Sequence, residues 1–502
     1  MAYKDLRDYL RVLEENGKLR RVKRQVDPSW EVSCMARWIY QGFPEDRRFG
    51  LLFENVKGTS MSVGTALVGA SRDVYALALG TPPEKIHDTW LRVLSQPLAP
   101  KTVASGPVHE VVIPKEKVDL SYLPVPTWTP EKDKRPCITA CCITRDRDSG
   151  VQNIGTYRCQ VQSKNQITFN TNPGRQGYQN YESYAVHGEP APVAVAIGCE
   201  PAVHLATSAA LPKGMDELHV AGALKGEPIE VVRGKTVDIL VPAHAEIVVE
   251  GLLHPTGRMV EDGFGEFLGY MGTSADRIWF EVTAITHRRD PIYYGYISQC
   301  PPSESTMIQG QANECMAHWQ LVTHFGEQTV TDVALTQTHG GMLGHAVVQM
   351  TPMYPGHAKR VGRLLAEITH FKIITVVDTG IDIRYQQHLD WVHNSLVNPA
   401  TDVTIIDDCF TFFMDPSRDE RGMGGKLILD ATHKIGHSYT DLSLPPKHLM
   451  WKAYESWQDA DLPAFNIPQR VERSLDWHAK RLECSDNGRF AGLGTTVRRL
   501  KY

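Results

Sequence analysis

Leu6, Leu10 and Leu13 recur at helical spacing, and Gly17 follows where a C-cap glycine ends such a pattern, so the chain opens on a helix. The apolar run 51–56, closed by Lys57-Gly58, reads as a strand. From about residue 137 to 300 the texture changes to short β-rich runs at 156–161, 193–197, 246–250, 278–285 and 292–297, separated by glycine and proline clusters. That spacing predicts a mostly β module such as a barrel. Beyond about residue 310 a helical face returns with Val361, Leu364, Leu365 and Ile368, and the runs 371–378, 403–407 and 426–430 read as buried strands. Helix alternating with strand predicts a parallel sheet with helices packed on it. The proline-rich stretch 123–130 can be neither regular helix nor central strand, and a domain boundary is expected near it. The tail beyond Pro445 is polar but carries Trp451, Trp457 and Trp477, whose ordering calls for a partner surface such as another subunit.

Composition narrows the picture. The 502 residues suggest two to four domains of roughly 100–200 residues each, and 42% apolar residues allow sizeable cores. A formal charge of -5 argues against a nucleic-acid partner, because phosphate neutralisation needs a basic surface. No apolar run is long enough to cross a bilayer, and the N-terminus lacks the order of a secretion signal, so a cytoplasmic location is expected. Ten cysteines are scattered with no Cys-x-x-Cys pair, which favours reduced thiols over a zinc ribbon or a disulfide scaffold.

The candidate chemistry lies between Asn153 and Glu266. Arg158 falls in a β-reading run where Thr156, Arg158 and Gln160 would share one face. An arginine can hold a carboxylate by a two-pronged hydrogen bond, although the spacing alone suits a solvated surface arginine better. Asn153 offers an amide oxygen and Glu217 a carboxylate, donor types that suit a hard metal ion. Equally, Asn153 reads as a turn residue and Glu217 as the exposed side of a helix whose apolar face is Leu218, Val220, Ala221 and Leu224. In Glu261-Asp262-Gly263-Phe264-Gly265-Glu266 the glycines point to a turn or bulge that lets backbone approach a ligand. Two carboxylates near one cavity repel, which favours protonating one of them and makes it a candidate proton donor. The competing reading is a glycine-rich hairpin with two solvated acids. Other motifs are weaker. Gly422-Met423-Gly424-Gly425-Lys426 lacks Walker spacing, His433 and His437 could share a helix face and bind metal, and Ser208 lacks a nucleophile elbow.

These segments resemble the UbiD-type decarboxylases that use prenylated flavin mononucleotide (prFMN). The resemblance runs through Phe53-Glu54-Asn55-Val56-Lys57-Gly58, Asn153-Ile154-Gly155-Thr156-Tyr157-Arg158, Leu211-Pro212-Lys213-Gly214-Met215-Asp216-Glu217, Ala245-Glu246-Ile247-Val248-Val249-Glu250-Gly251, Glu261 to Glu266, and Lys426-Leu427-Ile428-Leu429-Asp430-Ala431-Thr432. It implies an α+β and α/β multidomain fold: an N-terminal α/β domain (1–122), a central split β-barrel like that of flavin reductases (123–310), and a C-terminal α/β oligomerisation domain (311–502). It implies Asn153 and Glu217 as ligands of a divalent metal, usually Mn2+ with a nearby K+, that bridges protein and flavin phosphate. Arg158, Glu261 and Glu266 match the catalytic network, with Glu266 in the proton donor's position. Thr156, Tyr157, Asn170, Thr171, Asn172, Arg175, Gln176, Ser208 and Lys372 match cofactor contacts. Two departures stand out. Gly174 falls where many members carry a further metal-ligating histidine, which leaves water or another residue to complete the shell, and Asp262-Gly263 replaces a common Gly-Pro. The implied activity is reversible decarboxylation of an aromatic, heteroaromatic or α,β-unsaturated acid, aryl-coenzyme A acids included. The enzyme would be a homo-oligomer (dimer or hexamer) supplied with cofactor by a flavin prenyltransferase. A flavin oxidoreductase on the same barrel, or a non-catalytic subunit of a multi-subunit carboxylase, are the alternatives.

Overall fold

The computed structural model describes residues 3–211, 214–336, 338, 341, 343–412, 414–439, 443 and 445–464. Pro212, Lys213 and Trp477 lie outside the described residues. The chain divides into two compact units, residues 1–315 and 316–502.

The first unit opens with α1 (Leu6–Glu15), whose apolar stripe of Leu6, Tyr9, Leu10 and Leu13 is buried. Asp5 caps its N-terminus by accepting the Asp8 N–H at 2.9 Å, and Gly17 leaves it in a left-handed conformation at φ +68°. A small sheet follows in the order Leu19–Val22, Gly50–Phe53, Ser62–Thr65, Ile292–Tyr294. The last of these strands corrects an expectation. The run 292–297 does not join the central β module; its first residues pair in parallel with Ser62–Thr65 and bury Tyr293 and Tyr294. Local pattern identifies a strand but not its partner, and here the partner lies more than two hundred residues away.

The central sheet comprises β1 (Cys137–Arg145), β2 (Gln152–Gln160), β3 (Gln166–Phe169), β4 (Ala191–Ile197), β5 (Ile247–Leu253), β6 (Met259–Glu261) and β7 (Ala275–His287). Its order is β6-β7-β5-β4-β1-β2, and β3 and Val111–Pro114 also pair with the long β7. Every residue of β4 is buried, as expected of a strand covered on both faces. β2 ends the ladder path, and two isolated bridges, Arg158↔Asn170 and Val161↔Ile167, tie it to the neighbourhood of β3. Three helices accompany these strands: α2 (Gln176–Ala185), α3 (Pro201–Ser208) and α4 (Glu217–Lys225). Asp216 starts α4 by accepting the N–H groups of Leu218 and His219, and Gly226 stops it at φ +82°.

The second unit contains β8 (Val330–Leu335), β9 (His345–Met350), α5 (His357–Ile368), β10 (Ile373–Asp378), α6 (Gln386–Leu396), β11 (Val403–Phe410) and β12 (Met423–Ala431), with sheet order β8-β9-β10-β12-β11. The expected parallel sheet is mixed. β9, β10 and β12 are parallel, while β8 and β11 are antiparallel edges. The link 336–344 is too short for the crossover that a parallel connection needs. α5 packs Val361 and Leu365 on one face of the sheet, and α6 packs Leu389, Val392 and Leu396 on the other. His433 and His437 share no helix face, because they lie in a loop after β12 where His433 Nδ1 meets Asp378 Oδ2 at 2.6 Å. No helix among the described residues is long and apolar enough to cross a membrane.

Gly362 lets α5 lie directly on β12, since a Cβ there would sit 2.5 Å from Ile428 Cγ2. Helix propensity alone would favour alanine by about 1 kcal/mol, but overpacking a core costs roughly 1–3 kcal/mol. Gly362→Ala is therefore expected to destabilise the protein in urea unfolding; a stabilised variant would contradict this packing.

Candidate active site

β2 carries the site. Ile154 N–H reaches Glu217 Oε2 (3.4 Å), Gln160 N–H reaches Thr168 Oγ1 (3.2 Å), and the Arg158 carbonyl accepts Asn170 N–H (3.1 Å). These even-numbered residues thus aim their backbone groups away from β1, as alternate residues of an antiparallel strand do. Thr156 lies between them with the same orientation, so its N–H and C=O face outward from the sheet edge.

The side chains of Thr156, Arg158 and Gln160 each engage a different neighbour. Thr156 Oγ1 is 3.2 Å from both Thr207 Oγ1 and Ser208 Oγ at the end of α3. Gln160 clamps Asp262, accepting its N–H at 2.8 Å and donating to its carbonyl at 3.4 Å. Arg158 donates from Nε and Nη2 to Glu261 Oε1 (3.0 and 2.9 Å) and from Nη1 to Glu266 Oε1 (2.5 Å). Its side chain is only 15% exposed, which excludes the solvated surface arginine. Phe264 underlies the guanidinium at 5.3 Å, within cation–π range. Burial alone would weaken the charged form, but Glu261 and Glu266 together outweigh it and raise the arginine above its ordinary value.

The two acids are anchored unequally. Glu261, at the end of β6, also accepts from Asn170 Nδ2 (2.7 Å) and Thr168 Oγ1 (3.1 Å), and Arg277 Nε stands 3.9 Å away. Glu266 sits in a tight turn closed by its own N–H to the Tyr270 carbonyl and by Gly269 N–H to its carbonyl. Among the described residues its carboxylate is bonded only to Arg158. The expected repulsion between the acids is thus relieved by a shared cation. The glycines serve close packing against the protein itself: a Cβ on Gly263 would meet the Gly272 carbonyl at 2.3 Å, and one on Gly265 would meet Gln299 Cγ at 2.4 Å.

A second cluster forms at the other end of β2. Asn153 Nδ2 donates to Glu217 Oε1 at 3.0 Å, and Tyr157 Oη donates to Asn153 Oδ1 at 3.4 Å. Glu217 therefore does not mark a solvent side of α4. Burial pushes its carboxyl up to about 7, and the groups that offset burial are backbone N–H groups and the Asn153 amide rather than a full positive charge. A half-buried carboxylate beside an amide oxygen fits a hard divalent cation by donor type. Among the described residues no group of three or more His, Cys, Asp or Glu is placed to hold a metal. Gly174 is exposed, and a Cβ there would meet nothing within 4 Å, so the chain leaves the expected histidine position open.

The remaining expected contacts divide. Asn170 is committed to Glu261, Thr171 is buried, Arg175 precedes α2, and Gln176 Nε2 turns to Asn180 at 3.0 Å. Asn172 accepts the Arg175 N–H through its carbonyl at 2.9 Å. Lys372 belongs to the second unit, where its Nζ donates to Asp415 Oδ1 at 2.9 Å. Sequence reasoning missed Thr168, Phe264 and Arg277. Thr168 and Asn170 share a face by strand alternation, which was a usable signal; Arg277 reaches Glu261 through the β6–β7 pairing, which no local pattern announces.

Three family profiles match this chain in order: the N-terminal domain of 3-octaprenyl-4-hydroxybenzoate carboxy-lyase over residues 10–94, its Rift-related domain over 101–301, and its C-terminal domain over 308–431. The chain belongs to the UbiD carboxy-lyase family. A Synechocystis protein of uncharacterised function is 30% identical over 502 residues, spanning 93% of this chain and 98% of its own. The UbiD-class enzyme HmfF from Pelotomaculum thermopropionicum, in complex with FMN, is 34% identical with a TM-score of 0.81, covering 88% of this chain and 97% of its own. An evolved dimeric form of HmfF in complex with prFMN is 34% identical with a TM-score of 0.78 over the same shares, 88% and 97%. Vanillic acid decarboxylase from Sedimentibacter hydroxybenzoicus, in an open form, is 28% identical with a TM-score of 0.82, covering 92% of this chain and 100% of its own. The fold of this UbiD-family enzyme is accordingly mixed α/β, as expected.

Glu217 yields a signed test. Its folded value of about 7 lies above the ordinary 4.5, so between those values the folded state binds more protons than the unfolded state. Its contribution to stability is therefore present at low pH and is lost as pH rises towards 7. In chelator-treated protein, Glu217→Gln should be near-neutral at pH 4.5 and stabilising at pH 8, by about 1–3 kcal/mol. Parallel stability–pH curves for the two proteins would refute the half-buried, uncompensated acid.

Proposed function

We propose that this chain is a prFMN-dependent reversible decarboxylase of an aromatic, heteroaromatic or α,β-unsaturated carboxylic acid, aryl-coenzyme A acids included. The observation that carries the reading is the unequal anchoring around Arg158: among the described residues, one glutamate is held by several donors and the other by the arginine alone. Three of the five guanidinium N–H groups serve the glutamates, which leaves one on each terminal nitrogen, the number a bidentate carboxylate takes. Arg158 thus binds and orients the substrate carboxylate, and Glu261 fixes the arginine. Glu266 exchanges its bond to Arg158, takes a proton from solvent and delivers it to the carbon that loses carbon dioxide. In the opposite direction it removes that proton, so carbon dioxide and product levels set the net flux.

A bound prenylated flavin would supply the electron sink that decarboxylation needs. The outward backbone of Thr156, with Ser208, Asn170, Thr171, Asn172, Arg175 and Gln176, would hold it, and Asn153 and Glu217 would bind Mn2+ (with K+). The FMN and prFMN bound by HmfF support this reading. The bridges from β2 to the β3 neighbourhood, added to the ladder path, support a split barrel within the domain division 1–122, 123–310 and 311–502. A homo-oligomer served by a flavin prenyltransferase completes the proposal.

Glu266→Gln tests the assignment. The variant should retain flavin yet lose turnover by about 100-fold or more, together with deuterium incorporation from solvent into product. Near-normal rates in that variant would remove Glu266 as the donor.

A further inference from the structure

Tyr157 has the opposite strand parity to Thr156 and Arg158, so its ring leaves β2 on the other face. That ring occupies space which two glycines from separate segments leave open. A Cβ on Gly155 would lie 2.7 Å from the ring, and one on Gly177 would lie 2.8 Å from the hydroxyl. Phe169 packs on it at 5.0 Å. The hydroxyl accepts the Gly177 N–H at 3.3 Å and donates to Asn153 Oδ1 at 3.4 Å. The first contact satisfies a free N–H of α2, whose preceding residue, Arg175, provides no side-chain cap. The second meets an amide whose orientation the Glu217 carboxylate sets, because a carboxylate only accepts. With the tyrosine proton on Oδ1 and Nδ2 on Glu217, the amide has one orientation, and Oδ1 keeps a second lone pair for a cation.

We infer that Tyr157 is a positioning residue for the Asn153–Glu217 pair, tying it to the first turn of α2, rather than a residue that acts on the flavin directly. The inference rests on the reading that Asn153 and Glu217 hold a divalent cation, and it deepens that reading. Outer hydrogen bonds of this kind typically change metal affinity by about 10–100-fold.

The test compares chelator-stripped wild type, Tyr157→Phe, Gly177→Ala and Phe169→Leu, each saturated with FMN and titrated with Mn2+, with free metal read by electron paramagnetic resonance. Melting of each metal-free protein is measured alongside. Tyr157→Phe keeps the ring and loses the hydroxyl, so Mn2+ affinity should fall about 10-fold or more with little change in melting temperature. Gly177→Ala keeps the hydroxyl but displaces it, and should lower affinity likewise. Phe169→Leu removes packing only; it should lower the melting temperature and leave affinity near wild type. Wild-type affinity in Tyr157→Phe would overturn the positioning role while leaving the metal reading intact. An equal loss in Phe169→Leu would reduce Tyr157 to a packing residue and overturn it as well. No Mn2+ binding in wild type would overturn the metal reading itself and the inference with it.

Discussion

A buried guanidinium shared unequally between two carboxylates is the constraint on which the rest of this site depends. Removing one partner of a buried pair leaves an uncompensated charge, typically at a cost of about 3–5 kcal/mol, so Arg158 and Glu261 must be built together. The chain does so with three strands, two of them adjacent in sequence and the third about a hundred residues on. β2 supplies the arginine, β6 supplies Glu261, and the end of β3 with the residue after it supplies Thr168 and Asn170, which saturate Glu261. Gln160 then clamps Asp262, the residue after Glu261, so that the turn bearing Glu266 starts from a fixed point. The arginine is thus held by two bonds on its Glu261 side and by one on its Glu266 side.

The two faces and the outer edge of β2 divide the labour. Thr156, Arg158 and Gln160 meet α3, Glu261 with Glu266, and the Asp262 loop, whereas Gly155 and Tyr157 accommodate α2 and the Tyr157 hydroxyl meets Asn153. Glycine recurs where these surfaces close. Gly155, Gly177, Gly263 and Gly265 all lie where a Cβ would fall within 3 Å of another group. Side-chain volume, as much as charge, therefore sets where Arg158, Glu261 and Glu266 stand.

Much of this was legible in the amino-acid sequence, and what was not has a common physical cause. Period and punctuation located α1, the short central strands and the alternation around 373–378 and 423–431, because those signals are local. Partner choice is not local. The strand Ile292–Tyr294 crossed to the N-terminal sheet, and β8 and β11 ran antiparallel where a uniform parallel sheet was expected. The same holds at the site. Alternation put Thr156, Arg158 and Gln160 on one face, the glycines between Glu261 and Glu266 singled out that pair, and the family resemblance gave it its expected roles. The donors that make Glu261 immobile come from pairings across about a hundred residues. Glu217 read equally well as a solvated helix residue, since its partner Asn153 lies in another element.

The central claim is that Arg158, Glu261 and Glu266 serve a carboxyl-for-proton exchange supported by a modified flavin. Protein co-produced with a flavin prenyltransferase, analysed by native mass spectrometry and absorbance and then incubated in heavy water with a panel of aromatic and unsaturated acids, tests it most directly. The account predicts a bound flavin heavier than FMN, release of carbon dioxide from at least one acid, and deuterium at the carbon that lost its carboxyl group. Bound unmodified FMN with nicotinamide-driven reduction and no carbon dioxide release, or no bound flavin at all, would contradict it.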